Sequence, residues 1–481
     1  MIKDELTYQI LNSFQFTPTE EQRTAIHEFC DFLTSKDSRS IMLLCGSAGT
    51  GKTSLASAIV KTLLHLRQKV MLLAPTGRAA KVFSLYAGYP AFTIHRKIYR
   101  QKKFTGYING FSLNDNLFKD MLFIIDEASM ISNEGLADSA FFGSGRLLDD
   151  IMQYVYSGTN CRLMLIGDKA QLPPVGAEES PALMPEILQG YGLRTYGINL
   201  NEVVRQSSCS GILYNATVIR QMITHDETTL LPRIRLSVFA DIAIVPGNEL
   251  IEQLSGSYSK VGIDETIVIT RSNKRANIYN KGIRAMVLGR EEEICTGDML
   301  MIVKNSYYWT EKEEKCPLAF IANGDRACVL RVRNMRELYG FRFADAILQF
   351  PDYDNYELNV TILIDTIDSE APALTRQQSE SLFNNIMEDY MDIIRKPERM
   401  EKIRNDQHYN AVQIKYAYAV TCHKAQGGQW SHVYLDQGYM ADDMLTPDYI
   451  HWLYTAFTRA TEKLYLVNWP KTQVAREEPP V

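Results

Sequence analysis

The sequence predicts an α/β protein that contains two parallel sheets and one smaller antiparallel β unit. Short apolar runs, each followed by a glycine or polar turn and then a helical pattern, recur in two separate parts of the chain. Between these parts, residues of about 292–412 alternate between apolar and polar side chains instead. The 481 residues, 46% of them hydrophobic, suit roughly three globular units at about 150 residues each.

The first predicted unit contains four apolar runs, and a helical pattern over 53–66 follows the first of them. Continuous apolar strands separated by helices are typical of a parallel sheet that is covered on both faces. We therefore predict a first α/β domain over residues 1–195. The apolar runs are 41–45, 70–74, 122–125 and 163–166.

The second predicted unit is assembled from both sides of the alternating stretch. Its apolar runs are 266–270, 417–420 and 464–467, and its helical patterns are 274–287 and 449–460. We predict a second α/β domain over 196–291 and 413–481, interrupted by an antiparallel barrel over 292–412. A helical extension is expected over 375–396, where the apolar positions Leu382, Ile386, Tyr390 and Ile393 or Ile394 mark one face.

The overall charge excludes bulk electrostatic attraction to nucleic acid. Lys plus Arg number 51 and Asp plus Glu number 57, so the formal net charge is −6, and nucleic-acid binding would need a local basic path. The eight cysteines include no CxxC pair, which is typical of free thiols in a reducing compartment. No signal peptide or membrane-spanning stretch is apparent, so we expect a cytoplasmic protein without membrane contact.

A phosphate-binding loop is predicted directly after the first apolar run. Residues 46–53, GSAGTGKT, match GxxxxGK[ST] in full and stand between a strand and a helix, which is the context this motif requires. Its backbone N–H groups would wrap phosphates, Lys52 would reach the β- and γ-phosphates, and Thr53 would offer a hydroxyl to Mg²⁺. The alternative is a chance glycine-rich turn. The loop consists of Gly46, Ser47, Ala48, Gly49, Thr50, Gly51, Lys52 and Thr53.

Two further strand ends carry polar groups. Asp126 and Glu127 follow the run at 122–125, where the first carboxylate would hold Mg²⁺ and the second would orient or deprotonate the attacking water. The alternative is a solvated acidic turn. Gln171 lies in GDKAQLPPVG (167–176), and two prolines after it stiffen a loop whose amide could sense the γ-phosphate.

Six motifs together resemble those of the superfamily 1 helicases, most closely the RecD and Dda branch. They stand in the family's order, and the similarity extends from FTPTEEQ (16–22) to LYLV (464–467). The resemblance implies two RecA-like P-loop motor domains, a small β-hairpin insertion in the first, and an SH3-like β-barrel plus helix inserted in the second. The motifs are GSAGTGKT, DEASM, GDKAQLPPVG, NEVVRQ (201–206), TCHKAQGG (421–428) and YTAFTRA (454–460).

The resemblance also assigns roles at the ATP site. Gln22 would read the adenine, Gln171 would couple the γ-phosphate to the DNA path, and Ser54 and Gly427 would join the nucleotide site. Arg205 and Arg459 would act as arginine fingers, since a guanidinium suits the charge that develops on γ-phosphoryl oxygens. Surface or interdomain salt bridges are the alternative for both arginines. The family often has a Ser/Thr-Glu pair where this chain has Gly428 and Gln429.

The nucleic-acid contacts implied by the resemblance are small polar residues in loops after strands. Hydroxyls and amides suit phosphate contact without base reading. For each residue the alternative is a turn residue that satisfies local backbone groups. The residues are Pro75, Thr76, Thr93 and His95 in the first domain, and Thr270, Asn273, Thr421 and His423 in the second.

A basic, aromatic hairpin is predicted within residues 96–118. Asn109-Gly110 between β-forming residues is a strong two-residue turn signal. In the related helicases a hairpin at this place is the pin that splits the duplex, so Tyr107 and Phe111 would form the wedge. A solvated surface ribbon is the alternative. The helix over 375–396 would brace the pin, as a tower does in Dda.

The sequence therefore predicts a monomeric ATP- and Mg²⁺-dependent DNA helicase. It would couple ATP hydrolysis to movement along single-stranded DNA and to unwinding at single-strand/duplex junctions, 5′ to 3′ if it follows its branch. An ATP-gated nucleic-acid clamp, or a P-loop NTPase without unwinding activity, remains the alternative. Polarity and the choice of DNA over RNA do not follow from the residues alone.

Overall fold

The computed structural model describes residues 2–101, 111–135, 143–203, 210–225, 227, 230–311, 313, 316–318, 320–440 and 444–475. Within these residues the chain forms two parallel sheets, one closed barrel and one short hairpin. The predicted mixed α/β class, with a barrel in the second half, is confirmed.

The first sheet has six parallel strands in the order β3-β2-β6-β7-β1-β8. Its elements are α1 (Ile2–Ser13), α2 (Glu20–Thr34), β1 (Ser40–Gly46), α3 (Lys52–His65), β2 (Lys69–Ala74), α4 (Gly77–Ala87), β3 (Ala91–Thr93), α5 (Ile94–Ile98), β4 (Tyr99–Gln101), β5 (Phe111–Leu113), β6 (Met121–Ile125), α6 (Leu147–Ser157), β7 (Arg162–Gly167), α7 (Pro185–Gly190) and β8 (Arg194–Leu200).

Alternate residues of β1 show why this sheet needs continuous apolar strands. Ile41 and Leu43 belong to one apolar cluster, whereas Met42 and Leu44 belong to another on the opposite face. Because both faces are packed, a polar residue in the strand would be buried without water. All seven residues of β1 are buried.

The second sheet has five parallel strands in the order β16-β10-β17-β18-β9. The elements before the barrel are α8 (Gly211–Thr224), β9 (Ile242–Val245), α9 (Leu250–Val261), β10 (Thr266–Thr270) and α10 (Asn273–Gly282). Those after it are β16 (Ala419–Thr421), α14 (Cys422–Ala425), β17 (Trp430–Asp436), α15 (Pro447–Phe457) and β18 (Ala460–Val467).

The barrel closes through five strands in the order β11-β12-β13-β14-β15, with β15 returning to pair with β11. Its strands alternate burial as the sequence predicts, most clearly in β13. The elements are β11 (Met299–Ile302), α11 (Tyr308–Glu311), β12 (Arg326–Leu338), β13 (Phe341–Phe350), β14 (Tyr356–Leu363), α12 (Arg376–Glu388), α13 (Lys396–Arg404) and β15 (Val412–Tyr416).

Two strands cross the domain limits that the sequence suggests. β8 belongs to the first sheet and runs to Leu200, past residue 195, and β15 belongs to the barrel and runs to Tyr416, past residue 412. β8 lacks a continuous apolar run because it is an edge strand with alternating burial. The division into two motor domains and an insertion remains our proposal.

The helical extension is shorter than predicted. α12 begins at a Thr375–Gln378 capping box and ends at Glu388, and a second helix, α13, begins at Lys396 with Pro397 in its first turn. Leu382 and Ile386 pack on the barrel residue Phe343, but Ile394 is 92% exposed, so the predicted apolar face does not continue that far. In the described residues this extension packs on the barrel, and its predicted contact with the pin tip lies outside them.

The base of the predicted hairpin is present. β4 and β5 pair in antiparallel fashion, with Tyr99 opposite Leu113. Residues 102–110, including Tyr107, lie outside the described residues, and Phe111 is described by its backbone alone. Across the part of the chain that the structure covers, none of the helices combines the length and the apolar character that a bilayer crossing requires.

Candidate active site

The glycine-rich loop between β1 and α3 has the backbone of a phosphate cradle. Gly49 and Gly51 have φ of 82° and 84°, in the left-handed region that favours glycine. A Cβ on Gly51 would stand 2.6 Å from the Gln22 Nε2 atom, so the close approach of this side chain also requires glycine. Lys52 Nζ donates to the Ser47 carbonyl at 2.8 Å, so the ammonium group lies across the loop. Thr53 and Ser54 follow in the first turn of α3.

Gln22 holds this loop from the side. Its backbone N–H and its side-chain oxygen form a capping box with Thr19, which begins α2. Its Nε2 donates to the Thr50 carbonyl at 2.9 Å, and the side chain is buried. The amide retains one N–H and one lone pair, so adenine reading remains a prediction.

Asp126 and Glu127 lie at the carboxyl end of β6, two strands from the phosphate loop. The Asp126 Oδ1 atom accepts the Glu127 N–H at 2.9 Å, and Glu127 has a φ of 53°, rare for a residue with a side chain. Burial, and then the nearby Glu127 charge, raise the pKa of Asp126 well above its ordinary value. This half-buried carboxylate, whose charge Lys52 offsets only in part, suits Mg²⁺, which binds through one or two carboxylates, a hydroxyl such as that of Thr53 and substrate phosphates.

The loop after β7 is held by side chains of the second sheet's domain. Leu172 N–H donates to Thr455 Oγ1 at 2.8 Å, and Gln426 Nε2 donates to the Leu172 carbonyl at 2.7 Å. His451 Nδ1 donates to the Ala170 carbonyl at 2.9 Å. Between these contacts Gln171 is buried, and its Oε1 atom has no hydrogen-bond partner among the described residues. The loop can therefore transmit a change at Gln171 directly to α15 and α14.

Tyr454 of α15 joins three parts of the site. Its hydroxyl accepts the Ala48 N–H of the phosphate loop at 2.9 Å and donates to the Asp168 Oδ2 atom at 2.6 Å. Burial and then the Asp168 charge raise the pKa of Tyr454 well above its ordinary value, so it stays a neutral donor. One buried hydroxyl thus links the phosphate loop, the Gln171 loop and α15.

Arg459 lies just beyond the end of α15 and is almost fully buried. Its guanidinium donates to the Thr455 carbonyl at 3.0 Å, the Gly428 carbonyl at 3.1 Å and the Thr458 Oγ1 atom at 3.0 Å. No carboxylate among the described residues pairs with it, and two N–H groups remain unused. Arg459 therefore forms no salt bridge with a described residue, and its role as an arginine finger stays a prediction. The other predicted finger, Arg205, lies outside the described residues.

A third arginine at the phosphate loop, Arg220, lies outside the six motifs. Arg220 of α8 donates through Nη1 to the Ser47 Oγ atom at 2.9 Å and to the Asn201 carbonyl at 3.3 Å. α8 packs through Ile212, Ala216 and Ile219 in the apolar cluster of the second sheet. Arg220 therefore reaches the loop from a helix that packs in the apolar cluster of the second sheet. The only signal in the sequence is a cation on the polar face of an amphipathic helix, which does not reveal what that face meets.

The first-domain residues predicted to contact nucleic acid lie at neighbouring strand ends. Ala74 of β2 pairs with Thr93 of β3, and Pro75 and Thr76 follow β2 directly. The Thr76 hydroxyl also caps α4 by accepting the Ala79 N–H. His95 packs near Tyr99 and near Phe320 of the barrel segment, and burial lowers its pKa to about 4, so its ring is neutral. Nucleic-acid contact by these residues stays a prediction.

In the second domain, one predicted contact is corrected. Thr270 is fully buried, and its hydroxyl donates to the Ser272 and Val420 carbonyls, so it supports the loop that presents Asn273 instead of offering a free hydroxyl. Thr421 pairs with Thr270 across β16 and β10, and His423 is exposed on α14. Lys424, also on α14, was not among the predicted contacts. Burial lowers the pKa of Lys424 to about 8, and its place in TCHKAQGG was the available signal.

The segment 427–430 meets the first domain away from the phosphate loop. A Cβ on Gly427, which has a φ of 72°, would stand 3.2 Å from both Ala79 Cβ and Thr76 Oγ1. Arg78 donates to the Gln429 carbonyl and stacks 4.5 Å from the Trp430 ring centroid. This placement favours a role for Gly427 in the interface between the domains over its predicted place at the nucleotide.

Comparisons with protein families agree with this geometry. The model of an AAA domain matches residues 17–226, which include the phosphate loop, Asp126 and Gln171. The model of a UvrD-like helicase C-terminal domain matches residues 416–467, which include α14 and α15. The first match spans the four motifs up to NEVVRQ, and the second spans TCHKAQGG and YTAFTRA.

Together the two matches support the resemblance of this chain to the superfamily 1 helicases. The resemblance read from its motifs is thereby confirmed, including the RecD-like branch. A relative named ATP-dependent RecD2 DNA helicase, from Deinococcus radiodurans, is 29% identical over 202 residues. That match covers 41% of this chain and 24% of the relative.

Two longer matches are to proteins described as uncharacterized. One, from Acanthamoeba polyphaga mimivirus, is 23% identical and is matched over 93% of this chain and 98% of its own length. The other, from Methanocaldococcus jannaschii, is 24% identical over 93% of this chain and 38% of its own length.

Solved structures similar to this chain include Bacteroides Pif1 bound to ssDNA, at 17% identity and a TM-score of 0.48, with 96% of this chain and 95% of that chain covered. Pif1 helicase from Candida albicans has 16% identity and a TM-score of 0.40, with 96% and 97% covered.

Proposed function

We propose that this superfamily 1 helicase uses ATP hydrolysis to move along single-stranded DNA and to unwind duplex at junctions, in the 5′ to 3′ direction. The observation that carries the proposal is the double attachment of the Gln171 loop. Its strand, β7, adjoins the ATP site, while its backbone is held by α15 and α14 of the other motor domain. A change at the γ-phosphate would therefore alter the position of one motor domain relative to the other.

The residues of the site divide the chemistry between them. Lys52 and Thr53 would bind the phosphates and the metal, and Glu127 would orient and deprotonate the attacking water. Mg²⁺, when bound beside Asp126, would neutralise charge on the β- and γ-phosphate oxygens. Arg459, with Arg205, would stabilise the charge that develops on the γ-phosphoryl group.

The nucleic-acid path is proposed along the carboxyl ends of the strands in both sheets. Thr93 and Thr76 lie at neighbouring strand ends, and Gly427 continues from Thr76 into the second domain. Thr421 at the end of β16 and His423 on α14 follow. The line crosses the interface that ATP would open and close, so grip could pass from one domain to the other.

The decisive experiment is strand displacement on duplexes with only a 5′ overhang or only a 3′ overhang, with ATPase measured in parallel. We expect displacement from the 5′ overhang, and ATP turnover that single-stranded DNA stimulates. Turnover without displacement on either substrate would indicate an ATP-gated clamp or a translocase without unwinding. Lys52→Ala is the control that removes turnover while leaving the nucleic-acid path intact.

The hairpin is proposed as the strand separator. Replacing Tyr107 and Phe111 with Ala keeps every cation of the hairpin, so it tests the wedge alone. We expect single-turnover unwinding of a forked duplex to fall, while ATPase stimulated by single strands stays near the wild-type rate. Normal unwinding by the double variant would favour the surface-ribbon interpretation.

A further inference from the structure

Arg220 occupies a distinctive position at the phosphate loop. Ser47 receives two cationic side chains, because Lys52 Nζ donates to its carbonyl at 2.8 Å and Arg220 Nη1 donates to its hydroxyl at 2.9 Å. The lysine of this motif reaches the β- and γ-phosphates. The guanidinium is therefore held at the part of the loop where the terminal phosphate of a nucleoside triphosphate would lie.

The surroundings of Arg220 leave its charge without compensation. Its hydrogen-bond partners among the described residues are the Ser47 hydroxyl and the Asn201 carbonyl, both neutral, and its Nε atom is buried without such a partner. No carboxylate of the described chain lies within salt-bridge distance of it. Its charge also acts on Tyr454, the residue that accepts the Ala48 N–H. A partly buried guanidinium beside a second cation is unfavourable unless an anion completes the site.

The helix that carries Arg220 gives the residue a second property. α8 packs in the apolar cluster of the second motor domain, so the guanidinium crosses the cleft to reach the loop. Its distance from the loop depends on cleft closure. A cation supplied in this way can respond to the γ-phosphate only when the two domains are together.

We infer that Arg220 is a third nucleotide-binding arginine, which contacts the γ-phosphate from the second motor domain and distinguishes a triphosphate from a diphosphate. This inference rests on the proposed function, since it concerns the same ATP site. Arginine suits this position better than lysine, because its planar fork can hold Ser47 and a phosphate oxygen at the same time. The sequence motifs assign no role to this residue.

The test compares the binding of two nucleotides by the full chain with Mg²⁺. Displacement titrations would give the Kd of a non-hydrolysable ATP analogue and of ADP for the wild type and for Arg220→Gln. We expect the Kd of the analogue to rise about tenfold or more, and that of ADP by less than about threefold, because only the analogue carries a γ-phosphate. Equal changes for both nucleotides, or no change, would overturn the inference.

The control is Arg235→Gln. Arg235 is exposed, and its guanidinium carbon lies 5.6 Å from the ring centroid of Tyr214 on the same helix. Among the described residues it does not contact the phosphate loop. We expect both Kd values to match the wild type in this variant. If Arg220→Gln does not fold, Arg220→Lys decides the question. It keeps the cation and loses the fork, so its preference for the analogue should fall below that of the wild type, and full retention would overturn the inference.

The same titrations separate this inference from the proposed function. If the wild type binds the analogue but shows no ATPase or strand displacement, the proposed function fails. If the wild type is an active helicase and Arg220→Gln binds the analogue normally, only the role of Arg220 is refuted.

Discussion

Two junctions of the molecule differ in how their polar groups are paired. We call the junction around Asp298, just before β11, the barrel root, and the junction between the two sheets around the phosphate loop and the Gln171 loop the motor cleft. At the barrel root, the fully buried Asp298 accepts from Arg284 at 2.9 Å, from Arg290 at 2.6 Å and from the Tyr418 hydroxyl at 2.8 Å. Burial alone would raise the pKa of Asp298, but these donors and the Cys295 N–H hold it below its ordinary value. Both oxygens of the Asp298 carboxylate are therefore hydrogen-bonded within the protein.

At the motor cleft, the carboxylate pKa and the pairing of buried polar atoms show the opposite pattern. Burial and the neighbouring Glu127 charge raise the pKa of Asp126, whereas the pKa of Asp298 is lowered. Gln171 Oε1 and Arg220 Nε are buried without partners among the described residues. The contrast teaches that the barrel is fixed to the second sheet, while the cleft contains donors that phosphate would satisfy and acceptors that Mg²⁺ or water would satisfy. Variants of the two junctions should therefore fail in different ways.

The largest effect is expected at the phosphate loop and the catalytic carboxylate. Lys52→Ala should abolish ATP turnover, because the flexible cation at the phosphates is lost. Glu127→Gln should keep nucleotide binding but slow hydrolysis by about 10² to 10⁴, the usual contribution of a general base. Steady-state ATPase with parallel binding titrations checks both. Wild-type turnover by Glu127→Gln would refute the general-base assignment.

The next largest effect is expected for the two predicted arginine fingers. Arg459→Ala should lower kcat by about 10³ or more, with a much smaller change in ATP affinity, because the charge it stabilises develops only in the transition state. The same result is expected for Arg205→Ala. Single-turnover hydrolysis and nucleotide titration distinguish the effects, and a change confined to KM would mean that these arginines bind ground-state phosphate only.

The barrel root should respond in stability instead of turnover. Asp298→Asn leaves the buried Arg284 and the half-buried Arg290 without their carboxylate, which we expect to cost about 3 to 5 kcal/mol of unfolding free energy. Denaturant unfolding measures this loss, and Glu127→Gln of the motor cleft serves as the comparison, because this half-buried side chain keeps its shape in the variant and should unfold much closer to the wild type. A normal midpoint for Asp298→Asn would remove the distinction between the two junctions.

The smallest predicted effect concerns Tyr454, and Tyr449 provides a matched control. Both lie buried on α15, but the Tyr449 hydroxyl donates to Gln437 at 2.6 Å, away from the phosphate loop. Each Tyr→Phe variant should lose about 1 kcal/mol of stability. Only Tyr454→Phe should also lower DNA-stimulated kcat, by about five- to tenfold. Equal kinetics in the two variants would reduce Tyr454 to a packing role.

The sequence predicted the parts of this structure that depend on local pattern. β1, β6 and β7 were evident because strands buried on both faces must be continuously apolar. The phosphate loop, Asp126 and Glu127 were evident because their chemistry restricts which residues can stand there. The base of the hairpin is present, but Gln101 lies opposite Phe111, whereas a two-residue turn at Asn109-Gly110 would place residue 108 there, so the turn signal did not give the register of the base.

The remaining features depend on contacts between distant parts of the chain. Tyr454 lies within a recognised motif, yet its link to Ala48 and Asp168 joins residues more than 280 positions apart. Arg220 lies in no motif, and helical periodicity says only that it is on a polar face. The extension was predicted too long because the apolar spacing continued through residues 389–395, where the chain turns before α13.

The contrast between the two junctions can be tested directly by hydrogen–deuterium exchange on the wild-type chain, with and without a non-hydrolysable ATP analogue and Mg²⁺. The account predicts that the analogue slows exchange in the Gln171 loop, in α15 and around Arg220 in α8, while exchange around Asp298 and β11 is unchanged. Equal slowing at both junctions, or no slowing at the motor cleft, would contradict it.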